Sequence, residues 1–576
     1  MVATTKLQAQ SLAAALAASN EVEHPRLSSL VDFVRQQLGP EHPLVQALLG
    51  GAAFHHAGLP VEVLEALEEA VKDDSLPFLT CTSTLTDGVN LPVRTVVLYD
   101  QSYQGQPEDS RLRGARLVNA MGRAGRAGRE TEGWIVLVRA AAPSSQDFDD
   151  LNPDADELAV TSSLIVEDAL VSVAALERSA REDTDAIFSA AGVAADFISF
   201  VWLMLATDET ESPESFSADV EAIVGSTLMA SQSLAARAVY EPLAEATKLA
   251  YLATEPTERR RWPRTGTSIS TARWMDHLAF RLASEVDGSQ DLGSPSVALS
   301  FLGPYLPTLL DLPEAPKWEF RVTPRGQDVS VGPADLVRSW MNGASLPDLA
   351  EQFLSAVEPP SWRLEQAVTA VTNHCEHYFA WTVGALVDLI NLHLERLDSE
   401  ERLCPELSGY IRYGVKDLRA LRLMRSGFRS RRLANVLAES APIEAESVDE
   451  LRSWLAELSI GDWRNQFAAT SSEVLDLVDF TRVRRRSLLR SLLEDGVARA
   501  SLSWIELNPE TSGSIALRSL DGETPPAPLV VYMDERAVAF VASGDHSDVQ
   551  SILDTGFGLE LNIESDELTI GLLSED

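Results

Sequence analysis

The hydrophobic periodicity of this chain changes character twice, and those changes set what it can fold into. From Met1 to about residue 140, short apolar runs alternate with helical patterns, the rhythm of an α/β domain with a mostly parallel sheet. Leu79–Thr82, Thr95–Tyr99 and Gly133–Val138 read as strands, and Leu7–Ala18, Leu30–Leu38, Pro60–Val71 and Leu112–Met121 as helices. Residues 141–158 then carry six acids, two prolines and no base, the composition of an exposed linker. From there to about residue 497 the apolar positions recur every three or four residues, which predicts a large mainly helical region. Its natural break near residue 300 divides it into a helical or winged-helix-like part and a second helical part. After residue 497 the pattern turns to short alternating runs, SIALRSL, LVVYMD, AVAFVA, LELNI and ELTIGLL, with a helix near Ser547–Asp554. That predicts a small α+β domain over 498–576.

Charge narrows the chemistry. The 47 bases stand against 87 acids, a net of −40, which disfavours a protein coated in nucleic acid or lying on an anionic membrane. Only five of the bases are lysines (Lys6, Lys72, Lys248, Lys317, Lys416) and none follows a glycine. The Gly-Lys-Ser/Thr ending of a P-loop is therefore missing from the chain. The three cysteines, Cys81, Cys375 and Cys404, form no Cys-x-x-Cys pair and suggest a reducing, cytoplasmic setting. The longest largely apolar run, Phe197–Ala206, is half a bilayer span, and SLAAALAAS near the start lacks a cleavage context. Neither a membrane span nor export is expected.

Three segments of the first domain belong together. FHHAGLP (54–60) precedes a helix and is expected to be a loop; CTSTLTDGVNLP (81–92) leaves a strand through Gly88 and Asn90; NAMGRAGRAGR (119–129) ends a helix in an Arg/Gly turn before WIVLV. Glycines let backbone N–H groups approach a phosphate, and guanidinium groups supply permanent charge with forked donors. Arg123 and Arg126, three residues apart, can address one anion from a single turn.

In order and spacing these motifs resemble the second RecA-like domain of superfamily 2 DExH helicases of the superkiller-like group, with MVATTKLQAQSLAAALA similar to that domain's first strand and helix. The resemblance is strong over residues 1–139 and loose beyond. It implies that Arg123 and Arg126 are arginine fingers on the ATP γ-phosphate. Gly88, Asn90, Asn119 and Gly122 would then lie at the nucleotide, and Thr82 at a nucleic-acid phosphate. Asn119 departs from the family's glutamine and reaches one methylene less far. Phosphoryl transfer of this kind also needs a P-loop lysine and an Asp-Glu pair for Mg²⁺. The Asp-Glu pairs at Asp156, Asp208, Asp449, Asp534 and Asp566 do not read DExH or DExD. ATP and Mg²⁺ are thus expected only with a separate polypeptide, or a missing N-terminal part of the same gene, that brings the first RecA-like domain.

Bases cluster in the helical half. Residues 412–432 hold eight bases and one acid, with Arg412, Lys416, Arg419, Arg422, Arg425, Arg429 and Arg432 stepping by three or four. The segment near 405–437 faintly resembles the helix–hairpin–helix module of some helicases of this group, whose hairpin amides grip a backbone phosphate. Thr481–Arg490, with Arg484 and Arg485 among five arginines, and Glu258–Gly266, where Trp262 could stack on a base, are further candidate contacts. Each cluster has a plain alternative as a solvated helix face paired with the abundant acids. His374, Cys375 and His377 lack further ligands at zinc spacing, and Tyr378, Phe379 and Trp381 are expected in the core. The expected function is the C-terminal part of an ATP-dependent nucleic-acid helicase or translocase. The competing reading is a non-catalytic nucleic-acid-binding or scaffold subunit that keeps a RecA-like fold for docking.

Overall fold

The parallel sheet of the first domain is assembled around the first three residues of the chain. In the computed structural model, which describes all residues except 4, 21–23, 83–92, 101–113, 126–131, 140–159, 212–215, 217, 287, 289, 324, 494–496, 506–514, 520–527, 534–535, 554–558, 565 and 573–576, β1 (Ala52–His55) pairs in parallel with β2 (Phe78–Cys81). Val2 bridges Cys81 on one side and Leu98 of β3 (Thr95–Asp100) on the other, and β3 pairs in parallel with β4 (Trp134–Arg139). The order across the sheet is therefore β1, β2, the Met1–Ala3 segment, β3 and β4. Ala3 N–H donates to Cys81 O (2.7 Å) and Val2 N–H to Val97 O (2.8 Å).

The expected strands and helices of this domain fall within a residue or two of Phe78–Cys81, Thr95–Asp100, Trp134–Arg139, Lys6–Ser19, Ser28–Leu38, Val61–Lys72 and Gly114–Met121. One expectation is corrected: FHHAGLP is not all loop, because Phe54 and His55 end β1. All four β1 residues are buried, so AAFH shows no alternation from which a strand could be read. Thr80 locks β2 from within, its hydroxyl donating to Ala9 O (2.6 Å) on the helix Lys6–Ser19.

The chain forms two compact units, Met1–Lys416 and Asp417–Asp576. Beyond the sheet, the first is helical apart from a short antiparallel pair, β5 (Phe320–Arg321) with β6 (Asp328–Val329). The run Phe197–Ala206 lies inside the helix Gly192–Glu211 and packs Trp202 against Tyr251 and Trp262. Among the described residues no helix is long and apolar enough to cross a membrane. Trp262 is corrected too: it is 3% exposed and stacked on Trp202, so it offers no face to a base. Tyr378 and Phe379 are buried as expected, but Trp381 is 40% exposed. His374 and Cys375 are buried within a π-helical stretch, Val371–Phe379.

A polar knot ties four segments of this helical region. Asp276, on the helix Ile269–Glu285, accepts hydrogen bonds from Arg261 Nη2 (2.5 Å), Trp262 Nε1 (2.9 Å) and His393 Nε2 (2.8 Å), the last on the helix Ala380–Arg396. Burial alone would raise the Asp276 carboxyl, but the three donors outweigh it and hold the group down at about 2. Removing the carboxylate strands a buried guanidinium. We expect Asp276→Ala to lower the stability of the chain by about 3–5 kcal/mol, measured by urea denaturation, with Asp276→Asn losing less.

In the second unit, the helices Leu418–Arg425 and Arg431–Ser440 are joined by a turn at Gly427, whose φ of +97° is a glycine conformation. After the helix Ser471–Leu492 comes a six-stranded antiparallel sheet in the order β11 (Leu559–Glu564), β12 (Glu567–Leu572), β7 (Val497–Trp504), β10 (Arg536–Val541), β9 (Leu529–Met533), β8 (Ile515–Ser519). The edge strands β11 and β8 approach each other, so the sheet curls around a core that includes Leu502, Val531, Ala539, Leu568 and Ile570, with the helix His546–Leu553 contributing Val549 and Ile552. β7, central to this sheet, is the strand missing from the sequence reading, which begins its strands at SIALRSL.

Candidate nucleotide and nucleic-acid interface

The Arg/Gly turn is held in place by backbone. The helix Gly114–Met121 ends in Gly122, whose N–H donates to Val118 O (2.8 Å), and Arg123 follows. Val93 N–H donates to Arg123 O (3.0 Å), and Gly125 N–H returns a bond to Val93 O (2.7 Å). Val93 is the residue directly after GVNLP. The Arg/Gly turn is therefore stitched to the residue that follows GVNLP, at the amino ends of β3 and β4.

Two glycines permit this closeness. Gly125 has φ +92°, and a Cβ on Gly133 would lie 2.6 Å from the Ala124 carbonyl carbon and oxygen. Gly125→Ala should cost about 1–2 kcal/mol through its left-handed φ. Gly133→Ala should push the turn off β4. Both are checked by thermal denaturation, where a Tm equal to that of the parent would refute the tight packing.

Of the residues expected at the nucleotide, Asn119 and Gly122 are exposed and Arg123 half-buried on this turn. Gly88, Asn90 and Arg126 lie outside the described residues, as does the acidic stretch 141–158. Thr82 sits at the opposite end of the sheet. It follows the carboxyl end of β2, where its N–H donates to His55 O (3.3 Å). The third motif shares that end. His56 stacks on Phe54 with centroids 5.5 Å apart, takes the Gly58 N–H on Nδ1 (3.2 Å) and meets the Gln10 amide through Nε2 (3.3 Å). Burial, with Lys6 nearby, pushes His56 down to about 4, and burial pushes His42 down to about 3. His55 is likewise lowered by burial, opposed by its contact with Glu68 (3.2 Å).

Glu365, on the helix Pro360–Ala370, joins this end from the helical region. Burial raises its carboxyl, while a hydrogen bond from Gln10 and the charge of Lys6 oppose the rise. No spacing in the sequence announces Glu365, because its partners lie some 355 positions away on Lys6 and Gln10.

The basic stripe proves to be built largely into its own unit. Arg419 Nη1 donates to Ala438 O and Ala441 O, closing the end of the helix Arg431–Ser440, and Arg422 donates to Glu446 O. Arg429 pairs with Asp476 (3.1 Å), and Arg432 with Glu473 (2.5 Å), which is fully buried. Glu473 also accepts from Ser430 Oγ and Thr470 N–H, so the second arm of the hairpin is anchored to the helix Ser471–Leu492. Arg412 is exposed with its guanidinium 5.3 Å from the Tyr413 ring centroid, and Lys416 closes the first unit. Arg484 is exposed; the side chain of Arg485 lies outside the described residues. In the third cluster Arg259 pairs with Glu209 (2.5 Å) and Arg261 with Asp276.

Comparison with known proteins meets the geometry at these motifs. Residues 44–128 match the model of the helicase conserved C-terminal domain. DNA polymerase theta of Mus musculus is 40% identical over 104 residues, 18% of this chain and 4% of that protein. ATP-dependent DNA helicase Hel308 of Thermoplasma volcanium is 36% identical over 103 residues, 18% of this chain and 15% of that protein. Helicase POLQ-like of Homo sapiens is 42% identical over 88 residues, 15% of this chain and 8% of that protein. The chain thus aligns with only a small part of each of these relatives. The stitched Arg/Gly turn, the motif order and these matches agree that the chain carries the C-terminal part of a superfamily 2 helicase.

Proposed function

We propose that this chain is the arginine-finger half of an ATP-dependent DNA helicase or translocase. The observation that carries the proposal is the turn Gly122–Gly125, stitched to Val93 at the end of GVNLP. A backbone so constrained presents Arg123 at a fixed point, as preorganised charge stabilisation requires. Arg126 and Arg123 would neutralise charge developing on the γ-phosphate. The β- and γ-phosphate lysine and the Mg²⁺ carboxylates would come from a first RecA-like domain brought by a partner polypeptide or by further chain, since no Gly-Lys and no DExH occurs here.

Nucleic acid would run along the other end of the sheet. Thr82, at the carboxyl end of β2, would meet a backbone phosphate there. The hairpin at Gly427, with Arg412, Lys416 and Arg484, would add phosphate contacts in the helical half. DNA is favoured over RNA because the relatives include a DNA polymerase and a DNA helicase. The expected activity is ATP hydrolysis stimulated by single-stranded DNA when the chain is mixed with a polypeptide carrying the P-loop and DExH motifs. Measured phosphate release no higher than that polypeptide alone would sink this reading.

A further inference from the structure

We propose that the curled sheet of the C-terminal unit carries a second single-strand-binding surface, centred on Phe540 and Tyr532. Antiparallel pairing fixes which side chains share its outer side. Ser503 on β7, Phe540 on β10, Val530 on β9 and Arg518 on β8 form one row across four strands. Tyr532 lies two residues along β9 from Val530, and the Arg518 guanidinium sits 5.1 Å from its ring centroid. The inner side of these strands is the core that includes Leu502, Ala539, Val531 and Leu517, so Ser503, Phe540 and Arg518 face outward, while Val530 between Phe540 and Arg518 is buried beneath its neighbours.

Three features of this outer side favour unpaired nucleotides. First, Phe540 is 38% exposed, an aromatic face offered to solvent where alternation calls for a polar residue. Second, its cross-strand neighbour Ser503, and Ala516 and Ala537 flanking Tyr532, are small, which leaves a shelf on which a flat ring can lie. Third, the charge is basic. Among the described outward positions of β7, β8, β9 and β10 the charged residues are Arg499 and Arg518, without a carboxylate. The acids Glu560 and Glu567 fall on β11 and β12, and Asp545 stands at the rim, taking the Ser501 N–H (2.7 Å). In a chain of −40, four adjacent strands free of outward acid form a local attraction for phosphate. Exposed aromatics that stack bases, edged by arginine, are a means of holding single strands without reading sequence.

This inference rests on the chain acting on nucleic acid but is independent of ATP hydrolysis. The test uses the full chain with an oligothymidylate containing 5-iodouracil, irradiated and mapped by mass spectrometry, alongside fluorescence anisotropy with the plain oligonucleotide and its duplex. We expect adducts on Phe540 or Tyr532, and tighter binding of the single strand than of the duplex. Phe540→Ala should weaken binding by about 5- to 30-fold, with a circular dichroism spectrum equal to that of the parent. Arg518→Glu should weaken it further and steepen with falling salt. Adducts confined to residues 1–416, with Kd equal in Phe540→Ala and parent, would overturn the surface and leave the helicase reading standing. Failure of the whole chain to bind the oligonucleotide would overturn both. Equal affinity for duplex would overturn the stacking mode, because a paired base cannot lie on Phe540.

Discussion

Replacing Arg126 by alanine is expected to lower DNA-stimulated ATP hydrolysis by about 10³- to 10⁵-fold, when the chain is assayed with a polypeptide bearing the P-loop and DExH motifs. An arginine finger acts on charge that builds only in the transition state. The loss should therefore fall on kcat, with KM for ATP little changed, and DNA affinity should stay that of the parent. Arg123→Ala should act in the same direction. Its carbonyl accepts from Val93 N–H, a bond that alanine keeps, so the loss reads the guanidinium and not the turn. Lysine at either position restores charge without the fork and should recover only part of the rate. Rates in Arg126→Ala equal to the parent would remove the catalytic reading and leave the RecA-like domain as a docking platform.

Acidification from pH 7 to pH 4 is expected to remove about 6 kcal/mol of stability from the first domain, through two buried histidines. His42 is pushed down to about 3 and His56 to about 4, both chiefly by burial. Their folded values lie below the unfolded value of about 6.5, so the unfolded chain binds more protons across that window. The stability they support is complete above about pH 6.5 and is lost as the pH falls toward 4. Each histidine contributes a slope of roughly 1.4 kcal/mol per pH unit in its window. Urea denaturation of His42→Phe, followed from pH 7 to pH 4, should show a slope shallower by that amount. A slope equal to the parent's would refute the neutral buried state of His42. The Asp276 knot titrates lower, between about 4 and 2, so its contribution is lost after that of the two histidines.

The motif residues of the first domain were legible because each is a local device. Gly125 signals a left-handed turn, Arg123 a fixed charge, and the helix before them a 3.6-residue pattern, all within a dozen residues. β1 and β7 were harder for one shared reason. β1 is buried along its whole length, and the alternation of β7 carries small residues, Ala500, Ser501 and Ser503, so neither contrasts strongly with its surroundings. Trp262 was misread because a tryptophan among arginines looks the same in sequence whether it meets a base or a neighbouring core. The buried stack on Trp202 and the bond to Asp276 Oδ2 are decided 60 and 14 residues away.

The basic stripe shows the same division at larger scale. Its spacing places Arg419, Arg422, Arg429 and Arg432 on helices flanking Gly427, and that much is periodicity alone. Whether such arginines face an outside phosphate or an inside carboxylate depends on what folds against them. Glu473 and Asp476 arrive on the helix Ser471–Leu492 and take Arg432 and Arg429. By itself the sequence determined the RecA-like rhythm, the Arg/Gly turn and the absence of a Gly-Lys P-loop, because these follow from residue type and short spacing. Only the tertiary structure decided that Val93 and the arginine turn meet at one end of the sheet while Thr82 and His56 lie at the other. It also decided that Arg429 and Arg432 are spent on internal ion pairs and Arg419 and Arg422 on backbone carbonyls, and that Phe540 is exposed on the last sheet. Such matters turn on contacts between residues far apart in the chain, which local propensity does not encode.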